Sequence, residues 1–399
     1  MRFSLRTNWD TGESELARAH RQRVEAGLPL ADLTASNPTR CGFAYPASLL
    51  DALRDPRALD YDPQPKGSLA ARQAVCRYYA DHGVAVDPAQ IVLTTSTSEA
   101  YSFLFHLLCD PGDELLIAQP SYPLFDFLAG LCDVRLKTAS LVYDQGWQID
   151  AEAFRRAVTP QTRAIVLVHP NNPTGHFTKP WEIEELARLC REFSLAFIVD
   201  EVFLDYAFDG KSRSFAAGVE GVPVFVVSGM SKIAGLPQMK AAWIVAAGER
   251  AEQAEALARL EVIADTFLSM NAPVQCALPA WLESRAAIQN QIRSRVAANL
   301  AELDSRLTSI PAVRRLEVEG GWYAILRIPA LAPDESTALA LLDRGVWVHP
   351  GYFFGLPESG WLVLSLLGPA EEFGTGVTAL VDYMKTDQKS NITGRQLKC

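Results

Sequence analysis

Three apolar runs in the middle of the chain each end on a residue that can do chemistry. Ala164-Ile165-Val166-Leu167-Val168 precedes the turn Asn171-Asn172-Pro173-Thr174-Gly175, Ala196-Phe197-Ile198-Val199 runs into Asp200-Glu201, and Val224-Phe225-Val226-Val227 leads to Ser231-Lys232. An amide, a carboxylate and an amine delivered in that order make a set suited to carbonyl chemistry. A lysine can condense with a carbonyl and then serve as general acid and base, and a carboxylate can hold a positive charge beside it. Each residue also has a plainer reading. An Asp after a strand is often a helix N-cap, Asn-Pro and Thr-Gly form turns, and a lone lysine after a strand means little. It is their company that favours a site.

The elements that must position these groups are legible from apolar periodicity. Short continuous apolar runs predict parallel strands buried on both faces. Between two of them, Ile183, Leu186, Ala187, Leu189 and Cys190 fall on one face of a helix over Glu182 to Phe193. Strand, helix and strand then form one right-handed crossover, and groups that bind ligands gather at the carboxyl ends of such strands. From about residue 295 the pattern changes. A helix from Arg295 to Ser309 is followed by the turn Gly320-Gly321-Trp322-Tyr323 into Ala324-Ile325-Leu326, and then by Val346-Trp347-Val348 and Trp361-Leu362-Val363-Leu364. The expected architecture is a large α/β domain with a mostly parallel sheet over residues 46–280. A smaller α+β domain is expected from 1–45 and 281–399.

Composition narrows the function. A length of 399 residues exceeds one simple core and favours two domains. A net charge of −10 with no long basic run argues against nucleic acid or an anionic membrane as partner. The seven cysteines, at 41, 76, 109, 132, 190, 276 and 399, are dispersed without a Cys-x-x-Cys pair, which reads as reduced thiols in a cytoplasmic protein. The polar stretch from Met1 to Arg23 lacks an apolar signal core, and no metal site is expected.

With these residues in view, the chain from roughly residue 30 to residue 385 resembles the fold-type-I, class I/II aminotransferases, enzymes that use pyridoxal 5'-phosphate. The resemblance implies that Lys232 forms the Schiff base and shuttles the proton, that Asp200 faces the pyridine nitrogen, and that Asn172 hydrogen-bonds the ring hydroxyl. It implies a phosphate cup at Thr95-Ser96-Thr97, where a helix start near Ser98 favours an anion. Ser231 is a further donor, preferred over Ser228. Lys240 stands where relatives place an arginine, so charge is kept and the bidentate fork is lost. Tyr122, in Pro120-Ser121-Tyr122-Pro123, matches the aromatic that stacks on the ring. Tyr61 matches a residue that reaches the partner subunit's phosphate, and Met270 to Gln275 matches an interface segment. Together they imply a homodimer with shared active sites.

Two departures from the family stand out. Relatives usually read Asp-Glu-x-Tyr, and this chain has Phe203 at the tyrosine, which removes a donor to the ring oxygen; Tyr206, three residues on, reads first as core packing and second as a substitute donor. Relatives also carry an arginine that clamps the substrate α-carboxylate. Val363 aligns with it, and no Arg or Lys occurs from Gly345 to Asp382. Arg40, in Ser36-Asn37-Pro38-Thr39-Arg40, is the candidate substitute with Asn37 beside it, and His349, Trp322, Tyr323 and Tyr352 are further pocket candidates. His169 reads equally well as a strand-end histidine with its hydrogen bonds satisfied.

The leading reading is an aminotransferase moving an amino group between an amino acid or amine and a keto acid. A carbon–sulfur lyase or an elimination enzyme would use the same lysine, aspartate and asparagine, and Gly235-Leu236-Pro237 is reminiscent of aminocyclopropane-carboxylate synthases. A non-catalytic sensor of the cofactor is the reading from a different class.

Overall fold

The computed structural model describes residues 2–396 other than Lys211 and Glu358. Cys399 lies outside the described residues; the other six cysteines are free thiols. The chain forms two compact units. One comprises the described parts of Met1–Asn8 with Ala44–Asn290 and Glu319–Gly321, the other Trp9–Phe43, Gln291–Val318 and the described parts of Trp322–Cys399.

The larger unit is organised by an eight-stranded sheet. Its strands are β1 (Ile91–Thr94), β2 (Glu114–Gln119), β3 (Arg135–Tyr143), β4 (Trp147–Ile149), β5 (Thr162–Val168), β6 (Ala196–Asp200), β7 (Val224–Gly229) and β8 (Ala242–Ala247), in the spatial order β1-β8-β7-β6-β5-β2-β3-β4. The run from β7 through β6, β5 and β2 to β3 is parallel, while β8 and β4 pair antiparallel with their neighbours. Every residue of β6, β7 and β8 is buried. This is why those strands read as continuous apolar runs rather than alternating ones.

Three helices matter for the site: α1 (Thr97–Leu108), α2 (Pro180–Phe193) and α3 (Met230–Ile233). The crossover from β5 through α2 to β6 follows the expected register. Pro180 opens α2, where its missing N–H costs nothing. The helix stops at Ser194, whose left-handed φ of 53° lets the chain turn into β6. Leu186, Ala187, Leu189 and Cys190 supply its buried face.

The smaller unit holds an antiparallel sheet in the order Arg314–Arg315, Tyr323–Arg327, Trp361–Ser365, His349–Pro350. Ala31–Asp32 also pairs in parallel with Val346–Trp347. The helix expected from Arg295 starts earlier and spans Ala286–Leu307. Its first turns contain no Gly or Pro, and Ala, Gln and Arg propagate a helix well. Arg295 and Asn299 on that helix hold backbone carbonyls: Arg295 Nη1 donates to Cys41, Leu367 and Gly368 at 3.0–3.1 Å, and Asn299 Nδ2 to Leu366 and Gly368, both at 2.9 Å. Among the described residues no helix is long and apolar enough to cross a membrane.

Candidate active site

Register brings three functional strand ends side by side. Val168 pairs with Asp200 and Asp200 with Val227. The ladder continues one step past the strands, through His169 N–H to Asp200 O at 2.7 Å and Glu201 N–H to Val227 O at 2.8 Å. The turn after β5, the segment 200–203 and the short helix α3 therefore leave one edge of the sheet together. Gly229 makes the last of these possible. A Cβ there would lie 2.8 Å from Ala241 O and from Ala242 Cβ, so only glycine lets β7 pass and α3 begin.

Asp200 is buried, and both of its oxygens are engaged. Val202 N–H donates to Oδ1 at 3.0 Å, and the Tyr101 hydroxyl donates to Oδ2 at 3.0 Å. Burial pushes this carboxyl up to about 6, with the two donors and the charge of Lys232 acting against the rise. Burial also pushes the Lys232 amine down to about 8, with Asp200 opposing the fall. A weakened ammonium beside a carboxylate gives an amine with a useful neutral fraction near neutral pH. Lys232 Nζ stands 5.7 Å from the ring centroid of Phe203, so the phenylalanine covers the amine and offers no donor. Tyr206 does not take over that duty: its hydroxyl donates to the Lys232 carbonyl at 2.8 Å. Tyr45 similarly donates to Gly235 O at 2.8 Å.

Asn172 belongs to the same edge. Its Oδ1 is buried and has no hydrogen-bond partner among the described residues, whereas Asn171 closes the turn by accepting from Thr174 Oγ1 at 2.9 Å. A buried acceptor without a partner is costly; a bound polar group would satisfy it. His169 is the satisfied strand-end histidine. Thr178 N–H donates to its Nδ1 at 3.2 Å and its Nε2 lies 3.0 Å from Arg213 O, while burial pushes its pKa down to about 3. Glu201, next to Asp200 in sequence, faces a different region and accepts from Ser214 Oγ at 2.7 Å and Phe215 N at 2.6 Å.

At the start of α1, Ser96 is the N-cap and accepts from Glu99 N–H at 3.2 Å. Thr97 is the first helical residue. The Glu99 carboxylate takes the Thr95 N–H at 2.7 Å, with Thr95 Oγ1 at 3.1 Å and Ser269 Oγ at 2.8 Å on the same oxygen. Thr95 N–H thus already serves an internal anion. Ser231 is half-buried on α3; Ser228 is fully buried and donates to Glu201 O at 3.4 Å. Lys240 is exposed, in a left-handed conformation with φ 52°. Tyr122 lies in the coil after β2, 44% exposed, and Tyr61 is 84% exposed in a groove shared with Met270, Asn271 and Gln275.

Arg40 and Asn37 belong to the smaller unit and are both exposed. The Asn37 side chain is committed to its own turn, accepting from Thr39 N–H at 3.1 Å and Thr39 Oγ1 at 2.8 Å. Val363 is fully buried, flanked in register by Ile325 and His349. His349 Nδ1 is buried without a partner among the described residues, and burial pushes the ring down to about 4.

Two groups of residues escaped the sequence reading. Tyr101 contacts Asp200 across a long sequence separation, and its only local signal was a place on the core face of a helix. The other group holds the Asn172 turn from behind. His176 Nε2 lies 2.9 Å from Glu182 Oε2, and its Nδ1 lies 3.5 Å from Glu319 Oε2. Glu319 also accepts from Phe177 N–H at 2.9 Å and pairs with Lys179.

Comparison with known proteins gives consistent results. The family model described as aminotransferase class I and II matches residues 47–380. The arginine–pyruvate transaminase AruH of Pseudomonas aeruginosa is 29% identical over 370 residues, 91% of each chain. The aspartate/prephenate aminotransferase of Thermus thermophilus is 30% identical, over 82% of this chain and 84% of its own length. Among solved structures, an alanine aminotransferase from Pyrococcus furiosus superposes with a TM-score of 0.88 at 23% identity, covering 96% of this chain and 100% of that one.

Proposed function

The chain belongs to the class I and II aminotransferase family, and from that premise we propose that it transfers an amino group between an amino acid or amine and a keto acid, using pyridoxal 5'-phosphate. The observation that carries this reading is buried Asp200, half-buried Lys232 and the unpartnered Asn172 Oδ1 leaving one edge of the sheet together. The lysine and aspartate offer an amine for covalent attachment and an acceptor for a pyridine N–H, and the asparagine offers an acceptor for a ring hydroxyl. The donor set fits the cofactor on all three counts.

When bound, pyridoxal phosphate supplies an electron sink for the charge that develops at the substrate Cα. Lys232 Nζ would hold the cofactor covalently and, when free, would move the proton at the substrate Cα. Asp200 holds the proton on the ring nitrogen. Asn172 orients the ring through its hydroxyl, and Tyr122 covers one face. Ser96, Thr97, Ser231 and Lys240 would hold the phosphate, with Tyr61 of a second copy contributing in a homodimer. Phe203 keeps water from the amine without adding a hydrogen bond. Arg40, with Asn37, is the proposed contact for a substrate carboxylate. Dispersed free thiols and the lack of a membrane-crossing helix among the described residues support a cytoplasmic location.

The relatives act on different substrates by name, so the substrate is a matter for experiment. Protein loaded with pyridoxal phosphate is titrated with L-amino acids and with matched amines lacking the carboxylate, and absorbance is followed. We expect conversion of the cofactor to its pyridoxamine form. Conversion by amino acids places a carboxylate contact in the site; conversion by amines alone means that the valine at 363 is not compensated. Release of ammonia and a keto acid while the cofactor stays in its lysine-linked form would overturn transamination in favour of elimination.

A further inference from the structure

Tyr101 stands on α1 with 3% of its surface exposed. Its ring packs edge-on against Phe125 at 5.0 Å. Its hydroxyl makes one hydrogen bond, to Asp200 Oδ2 at 3.0 Å. Burial, together with the neighbouring Asp200, pushes the phenol's own ionisation well above its ordinary value, so the hydroxyl keeps its proton and always donates. With Val202 N–H on Oδ1, the carboxylate is held at both oxygens and its plane is set. Each oxygen keeps acceptor capacity for a further donor.

We infer that Tyr101 is a positioning residue: its hydroxyl aims the Asp200 carboxylate at the ring nitrogen of the bound cofactor and keeps that carboxylate ionised. The inference rests on the function proposed above. Its physical basis is the cost of a buried charge. Asp200 is buried, and without enough donors a carboxyl there takes up a proton near neutral pH. A neutral acid cannot hold a pyridinium. The hydroxyl supplies one of the two hydrogen bonds that prevent this, and no other side chain donates to Asp200 among the described contacts.

The test uses the full chain, first without cofactor, labelled with ¹³C at the aspartate carboxyls; the Asp200 resonance is the one missing in Asp200→Asn. Tyr101→Phe keeps the ring and its packing and removes only the hydroxyl. We expect it to raise the Asp200 titration midpoint by about one pH unit or more. Tyr78→Phe, which removes an equally buried hydroxyl from Asp205, should leave the midpoint in place. Adding pyridoxal phosphate should then show a dissociation constant roughly tenfold higher for Tyr101→Phe than for wild type. An unmoved midpoint overturns the inference. So does a moved midpoint with an unchanged dissociation constant, because the contact would then tune Asp200 without consequence for the cofactor. A wild-type chain that takes up no pyridoxal phosphate overturns the proposed function itself, and this role with it.

Discussion

The carboxyl edge of the large sheet and the antiparallel sheet of the smaller unit treat polarity in opposite ways. At the first, Asp200, Glu201 and Lys232 are drawn into the protein, and each carboxylate oxygen meets a donor. At the second, Val363 is fully buried between Ile325 and a histidine held neutral by burial. Buried charge is tolerated only where partners are built for it. The first edge therefore supplies partners for buried charge, and the second is apolar at Val363. The expected departures from the family fall on both sides of this contrast, at Phe203 and Lys240 in the larger unit and at Val363 in the smaller.

The contrast can be broken from either side. The largest effect is expected from Lys232→Ala, which should abolish the lysine-linked absorbance band and cut turnover by about a thousandfold or more. Full activity in that variant would remove the large-sheet edge from the chemistry. Next is Val363→Arg. If the strand is as closed as its burial implies, the new guanidinium has no partner and unfolding in urea should show a loss of about 3 kcal/mol or more. A stable variant with faster turnover of L-amino acids would show instead that the position opens onto the substrate and lacks only the charge.

A smaller effect sharpens the comparison at the support of the Asn172 turn. Burial pushes Glu319 up, but His176, Lys179 and the Phe177 N–H outweigh it and leave the carboxyl at about 2. A carboxyl held below its unfolded value contributes stability above about pH 4.5, and that contribution is lost as pH falls toward about 2. Glu319→Gln should therefore lower the free energy of unfolding in urea at neutral pH, by less than about 1 kcal/mol because the side chain is partly exposed. The difference between variant and wild type should shrink through that acid window. A difference that persists at low pH would mean the side chain acts through packing rather than charge.

Much of the candidate site was legible because its signals are local. Asp200, Asn172 and Lys232 each follow a strand that could be read from its own apolar run, and the α2 face was visible from spacing alone. Tyr206 shows the limit: its spacing from Phe203 was legible, while its hydrogen bond to the Lys232 carbonyl was not. Glu319 was less legible still, since nothing in its neighbourhood points to His176 or Lys179.

The sequence by itself determined which residues can bear charge, form a covalent bond or end a strand, along with the α/β order that brings three such ends to one edge. Those properties come from side-chain chemistry and from periodicities a few residues long. Only the tertiary structure decided that Tyr101 donates to Asp200, that Glu201 faces away from its neighbour, that Glu99 occupies the start of its own helix and that Val363 is sealed. Each depends on which distant groups share a buried space, and so on the partners that set the cost of a charge there. No local pattern records that.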